Sequence, residues 1–211
     1  MFLPKGLKNL KRNEIKKAII CFPLPEFHYL KNYFSSARIL NWMNFKFFQV
    51  RDSIFVGPLI GAPQTALLIE VLKNLGIKKM LGIGWAGSLK EDLTPGTLFF
   101  CKKVYSMEGT IRFYFPRKRV FYPSSELTVY FKKELHEFLK GTLVSMDAPF
   151  VLEKNEKLRK ELKSKFQAID METGTFLGLS LYYNIHSLIF HFITDIAGNQ
   201  TYDRPKKTSL Q

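Results

Sequence analysis

Ala168-Ile169-Asp170-Met171-Glu172-Thr173-Gly174 takes a short apolar strand straight into the start of a helix. The pattern predicts a strand over 166–169 and a helix over 173–183. Two carboxylates flank a methionine at the junction. Glu172 is placed to accept hydrogen bonds from vicinal sugar hydroxyls, and Met171 to pack on the sugar ring. The same two carboxylates would also sit well on the helix dipole with no ligand at all.

The strand-then-helix order recurs on both sides of this stretch. Ala18–Phe22 reads as a buried strand stopped by Pro23 and Pro25, with a helix starting at Glu26. Phe45–Val50 and Ser53–Val56 read as a hairpin, 57–63 as a loop, and Gln64–Leu75 as a helix closed by Gly76. Lys79–Ile83 reads as a strand opening into a turn at Gly84-Trp85-Ala86-Gly87. Leu98–Tyr105 is a further strand, and 112–115 and 119–121 are expected to pair. A helix is expected over 127–138, a strand over 142–145 and a single charged helix over 153–165. The last strand, 187–194, should end at Asp195. Such alternation implies an α/β layer fold with a largely parallel sheet. Ligands on such sheets bind at the carboxyl ends of strands, where Gly84-Trp85, Asp147, Met171-Glu172 and Asp195 should gather.

The chain of 211 residues suffices for one domain, placed at 18–211 behind a basic extension at 1–17. No apolar run reaches the roughly 20 residues of a membrane span, and the extension lacks the apolar centre of a signal peptide. The two cysteines, Cys21 and Cys101, are far apart in apolar surroundings, which fits the cytoplasm and no disulfide framework. The four histidines show no metal-ligand spacing, and His186 and His191 should lie on opposite faces of a strand. Gly57–Gly61 lacks the following Lys-Ser/Thr of a P-loop. The net charge of +14 is scattered in blocks mixed with glutamates, which favours solvated helix faces over a nucleic-acid surface.

Several strand ends together resemble the family of nucleoside phosphorylases and nucleosidases. Gly82-Ile83-Gly84-Trp85-Ala86-Gly87-Ser88-Leu89 is similar to the family's glycine-rich strand end, and Asp92–Leu98 follows it as in the family. Met107-Glu108-Gly109-Thr110, Ser145-Met146-Asp147, Asp170-Met171-Glu172-Thr173 and Thr194-Asp195 then match further segments in order. The resemblance implies a three-layer α/β/α phosphorylase-like fold with a central mixed, twisted sheet, and homo-oligomers built on dimers. It implies a small-molecule nucleoside as partner and cleavage of its ribose–base bond, without a cofactor or metal, phosphate being the one co-substrate to consider. Glu172 would hold the ribose hydroxyls and Met171 the sugar. Asp195 would protonate a departing purine, and Phe150 and Asp147 would belong to the base pocket. Gly61, Gly84 and Trp85 would form the anion or glycine-loop side.

Some positions depart from the family. Where hexameric members place an arginine and a serine around the glycine-rich end, this chain has Gly82 and Trp85; the first-strand loop has Cys21 and Pro25. Arg38, Arg51 or Arg112 would have to hold a phosphate. Nucleosidases instead activate water with a glutamate after the first strand, and Glu26 lies one residue from that position. The segment after Asp195 is too short for the family's long closing helix. Three functions follow as expectations: hydrolysis, favoured by the missing anion ligands; phosphorolysis; or binding of nucleosides without catalysis. A nucleic-acid binder using the basic leader is the remaining alternative.

Overall fold

The computed structural model describes Leu7, Leu10 and residues 15–198. Most of the basic leader, the tail Arg204–Lys207 and the place of a closing helix lie outside the described residues. Strand β1 (Lys17–Cys21) alternates its side chains between two faces. Ile20 joins the main core, while Cys21 joins a second cluster with Phe27, Phe48 and Phe55. Helix α1 (Leu24–Tyr33) begins directly at Pro23, which supplies extended backbone at its N-cap. Its Phe27 is fully buried against that second cluster, a burial that contributes roughly 1.5–3 kcal/mol. Strand β2 (Leu40–Trp42), which was not expected, pairs antiparallel with β3 (Phe45–Val50), and β3 and β4 (Ser53–Gly57) form the expected hairpin.

Helix α2 (Gly61–Asn74) starts three residues before the expected Gln64. Pro63 fits there because the first turn of a helix needs no amide hydrogen from it. Strand β5 (Lys79–Ser88) corrects the expected turn at Gly84–Gly87, since the strand runs on through the glycines. The inner face needs them small: a side chain at Gly82 would meet Ile189, and one at Gly84 would meet His191. Strand β6 (Leu98–Ser106) is followed by a 3₁₀ turn at Thr110–Phe113 and by β7 (Val120–Phe121). The expected pairing of 112–115 with 119–121 is absent among the described residues; β7 pairs with β6 instead.

Helix α3 (Ser125–Tyr130) and a 3₁₀ turn at Glu134–Glu137 replace the single helix expected over 127–138. Thr128-Val129-Tyr130-Phe131 is a run of β-branched and aromatic residues, poor at sustaining a helix. Strand β8 (Leu139–Ser145) leads to α4 (Val151–Lys154) and α5 (Glu156–Lys165), which divide the expected 153–165 helix. Asn155 makes the break, because its side chain caps α5 by accepting from the Leu158 amide at 3.0 Å. Strand β9 (Ala168–Asp170), helix α6 (Thr173–Tyr182) and strand β10 (His186–Ile196) complete the fold.

The sheet is mixed rather than largely parallel. β5 is its hub, parallel to β1 and β10 and antiparallel to the short β9. From β10 the sheet continues through β6 and β8 back to β9, closing a ring of five strands, while β4, β3 and β2 extend outward from β1. Helices α2 and α6 pack together on one side and α1 packs against β1 and β4, giving the layered α/β architecture. No helix among the described residues is long and apolar enough to cross a membrane. Cys21 and Cys101 are both buried and free.

Candidate active site

A cavity of about 600 Å³ opens where β1, β5, β9 and β10 end together. Trp85, Phe150, Met171, Glu172 and Asp195, each expected at the site, line it.

The corner that carries Met171 and Glu172 is locked from three strands. The first amides of α6 have no partner within the helix, and each finds a side chain. Thr173 N–H donates to Asp170 Oδ2 at 3.0 Å, Gly174 N–H to Ser145 Oγ at 2.9 Å and Thr175 N–H to Glu108 Oε1 at 3.2 Å. The Ser145 hydroxyl donates onward to Asp170 Oδ1. The Thr173 hydroxyl donates to Asp170 Oδ2 at 2.5 Å and lies 2.8 Å from His191 Nε2. With that hydroxyl's hydrogen committed to Asp170, His191 Nε2 is the donor of the pair. Glu108 is fully buried and accepts the Ser106 hydroxyl at 2.5 Å. Burial pushes its carboxyl well above the ordinary range, opposed first by the Ser106 hydroxyl and reinforced by the charge of Asp170. Gly174 must be glycine, because a side chain there would run into Glu108 and Ser106. Ser145, Glu108 and His191 are thus supports that sequence reasoning did not assign, while Asp170 takes the helix-start role its position allowed. A signal was present: small hydroxyls and acids at strand ends facing a helix start.

Glu172 stands at the N-cap of α6, 9% exposed. Its Oε1 accepts the Gly61 amide at 2.5 Å and its Oε2 the Met171 amide at 3.2 Å. Gly61 reaches it with a φ of +81°, a conformation glycine adopts at little steric cost. Burial, and then the charge of Asp170, push the Glu172 carboxyl up to about 8, while the two amides pull it down. Gly61 thus lies against Glu172 through its amide and is not itself in the cavity wall.

Asp195 lies within β10, at an irregularity between Ile193 and Asp195, and not after the strand as expected. A bulge there re-aims the side chain into the cavity. The Thr194 hydroxyl donates to Oδ1 at 2.7 Å, and Oδ2 faces the space left open by Gly87. Phe150 is 68% exposed at the cavity mouth.

Besides Gly61, three expected residues lie outside the wall. Gly84 faces His191 on the inner side of the strand ring, outside the cavity wall. Asp147 is exposed and caps a turn by accepting the Gly109 amide at 2.8 Å, so it is not in the wall either. Glu26 sits just behind the wall, with Oε1 accepting Trp85 Nε1–H at 2.8 Å. The charged residues in the wall are Glu153, Asp170, Glu172 and Asp195; among the described residues no arginine, lysine or histidine lines it, including Arg38, Arg51 and Arg112. His186 lies apart, near Ser124 and Glu126.

A family model described as the phosphorylase superfamily matches residues 18–209. A guanosine phosphorylase of Halorubrum lacusprofundi is 29% identical over 128 residues, covering 57% of this chain and 52% of that protein. The chain spans about half the length of the curated relatives it matches. The purine nucleoside phosphorylase of Toxoplasma gondii superposes with a TM-score of 0.76 at 21% identity, covering 92% of this chain and 84% of that one. A 5′-methylthioadenosine/S-adenosyl homocysteine nucleosidase of Campylobacter jejuni gives 0.72 at 19%, covering 90% and 89%. At these identities the likeness is one of fold, and a phosphorylase and a nucleosidase share it.

Proposed function

The chain belongs to the phosphorylase superfamily, and from that premise we propose that it cleaves the N-glycosidic bond of a purine nucleoside with water as the acceptor. The observation that carries the choice of water is the acidic wall. A phosphate dianion would face Glu153, Asp170, Glu172 and Asp195 with no cation among the described wall residues. The first amides of α6, which could otherwise cradle an anion, are already taken by Asp170, Ser145 and Glu108.

In this reading Glu172 accepts the ribose hydroxyls and Met171 packs on the sugar. The bond from C1′ to the base breaks with its electron pair passing to the purine, and Asp195 Oδ2 gives a proton to the purine's imidazole nitrogen. Positive charge builds on the sugar, where the carboxylates of the wall stabilise it. Water bonds to C1′ and its proton passes to Glu26. The base stacks on Phe150 at the mouth, and the active form is a homo-oligomer built on dimers. Phosphorolysis is the second reading, favoured by the relative named a guanosine phosphorylase.

The purine preference is tested by base release from adenosine, inosine, methylthioadenosine and uridine. The purine nucleosides should turn over at least about 10-fold faster than uridine, since only a purine offers Asp195 an imidazole nitrogen. Equal or faster release of uracil would remove Asp195 from that role.

A further inference from the structure

Trp85 lines the cavity, and Glu26 lies directly behind it, joined to the indole N–H at 2.8 Å. The indole N–H binds Oε1, while Oε2 is buried and accepts no hydrogen bond. A buried carboxylate oxygen left without a donor is destabilising, and one water can relieve it. β1 and β5 run in parallel register with Cys21 opposite Ile83. The first turn of α1 is thereby brought over Trp85, and the contact joins two elements that the sheet already holds in place.

We infer that Trp85 is the positioning residue for Glu26: its N–H fixes one carboxylate oxygen so that the other is left to hold the attacking water at the cavity wall. The inference rests on the hydrolytic reading and adds to it a residue that touches the base without itself exchanging a proton. Trp85 suits the task. Its indole nitrogen only donates, so it cannot compete for the water's proton.

The test is a double-mutant cycle on base release from the best purine nucleoside in the panel. Trp85→Phe keeps a ring and loses the donor. It should lower kcat about 10- to 100-fold with KM changed less than about 3-fold, the cost of misplacing a catalytic group. In a Glu26→Gln background the same substitution should cost little more, because there is no base left to position. A second readout leaves Trp85 in place. With Trp42, the other of the chain's two tryptophans, changed to Phe, Glu26→Gln should shift Trp85 emission. Wild-type kcat in Trp85→Phe, losses that simply multiply, or emission blind to Glu26→Gln would each overturn the inference. Failure of the hydrolytic reading looks different: wild-type base release would then stop when phosphate is removed.

Discussion

Asp195→Asn is expected to lower kcat on purine nucleosides by about 10²- to 10⁴-fold, the usual worth of a positioned general acid. The carboxyl is held for that task. Thr194 occupies Oδ1, and Gly87 keeps the approach to Oδ2 free of a side chain. Asparagine fills the same space but has no proton to give a leaving base. The loss should therefore depend on the leaving group. A p-nitrophenyl riboside, whose p-nitrophenolate departs without protonation, should turn over in Asp195→Asn within about 5-fold of wild type, because its cleavage needs no acid. Equal losses on both substrates would mean that Asp195 shapes the site and is not the acid.

The second large effect is expected at Glu172. Above pH 8, where its carboxyl is ionised, Glu172→Gln should lower kcat/KM by about 10²- to 10³-fold, as hydrogen bonds to an ionised acceptor contribute roughly 1.5–3 kcal/mol each. Most of that loss should vanish for a 2′-deoxynucleoside, which offers the carboxylate one hydroxyl fewer. Glu172 also sets a pH dependence. Its carboxyl is raised from 4.5 to about 8 by burial first and the charge of Asp170 second. Between those values the folded protein holds a proton that the unfolded chain has released, so stability falls as pH rises toward about 8 and then levels off. Nucleoside affinity should move the opposite way over the approach to pH 8, since the ionised form is the better acceptor for hydroxyls. Thermal melting and nucleoside titration at several pH values read both trends. Glu172→Gln should flatten them; trends unchanged by the substitution would assign them to other groups.

Much of the site was legible because the strand-to-helix order places strand ends at one edge. Met171, Glu172, Trp85 and Asp195 reach the cavity by that logic, and Phe150, named only through the family resemblance, lines it as well. Gly84 and Asp147 were misplaced for reasons the local sequence hides. A glycine-rich run looks alike whether it turns or thins one face of a strand, and the decision rests with Ile189 and His191 across the sheet. Asp147 follows a strand end as expected, yet its nearest donor is a turn amide at Gly109. The three-strand lock on α6 joins residues up to 67 positions apart, from Glu108 to Thr175. No local pattern carries such a pairing. Helix ends failed for simpler causes, a capping Asn155 and a β-branched and aromatic run after Leu127.

The central claim is cleavage of a nucleoside by water. Its most direct measurement is purine release from a ribonucleoside by the purified protein in phosphate-free buffer and again with millimolar phosphate, with the sugar product identified. Release at the same rate in both, yielding free ribose, is the predicted result. Release only when phosphate is present, yielding ribose 1-phosphate, would contradict it.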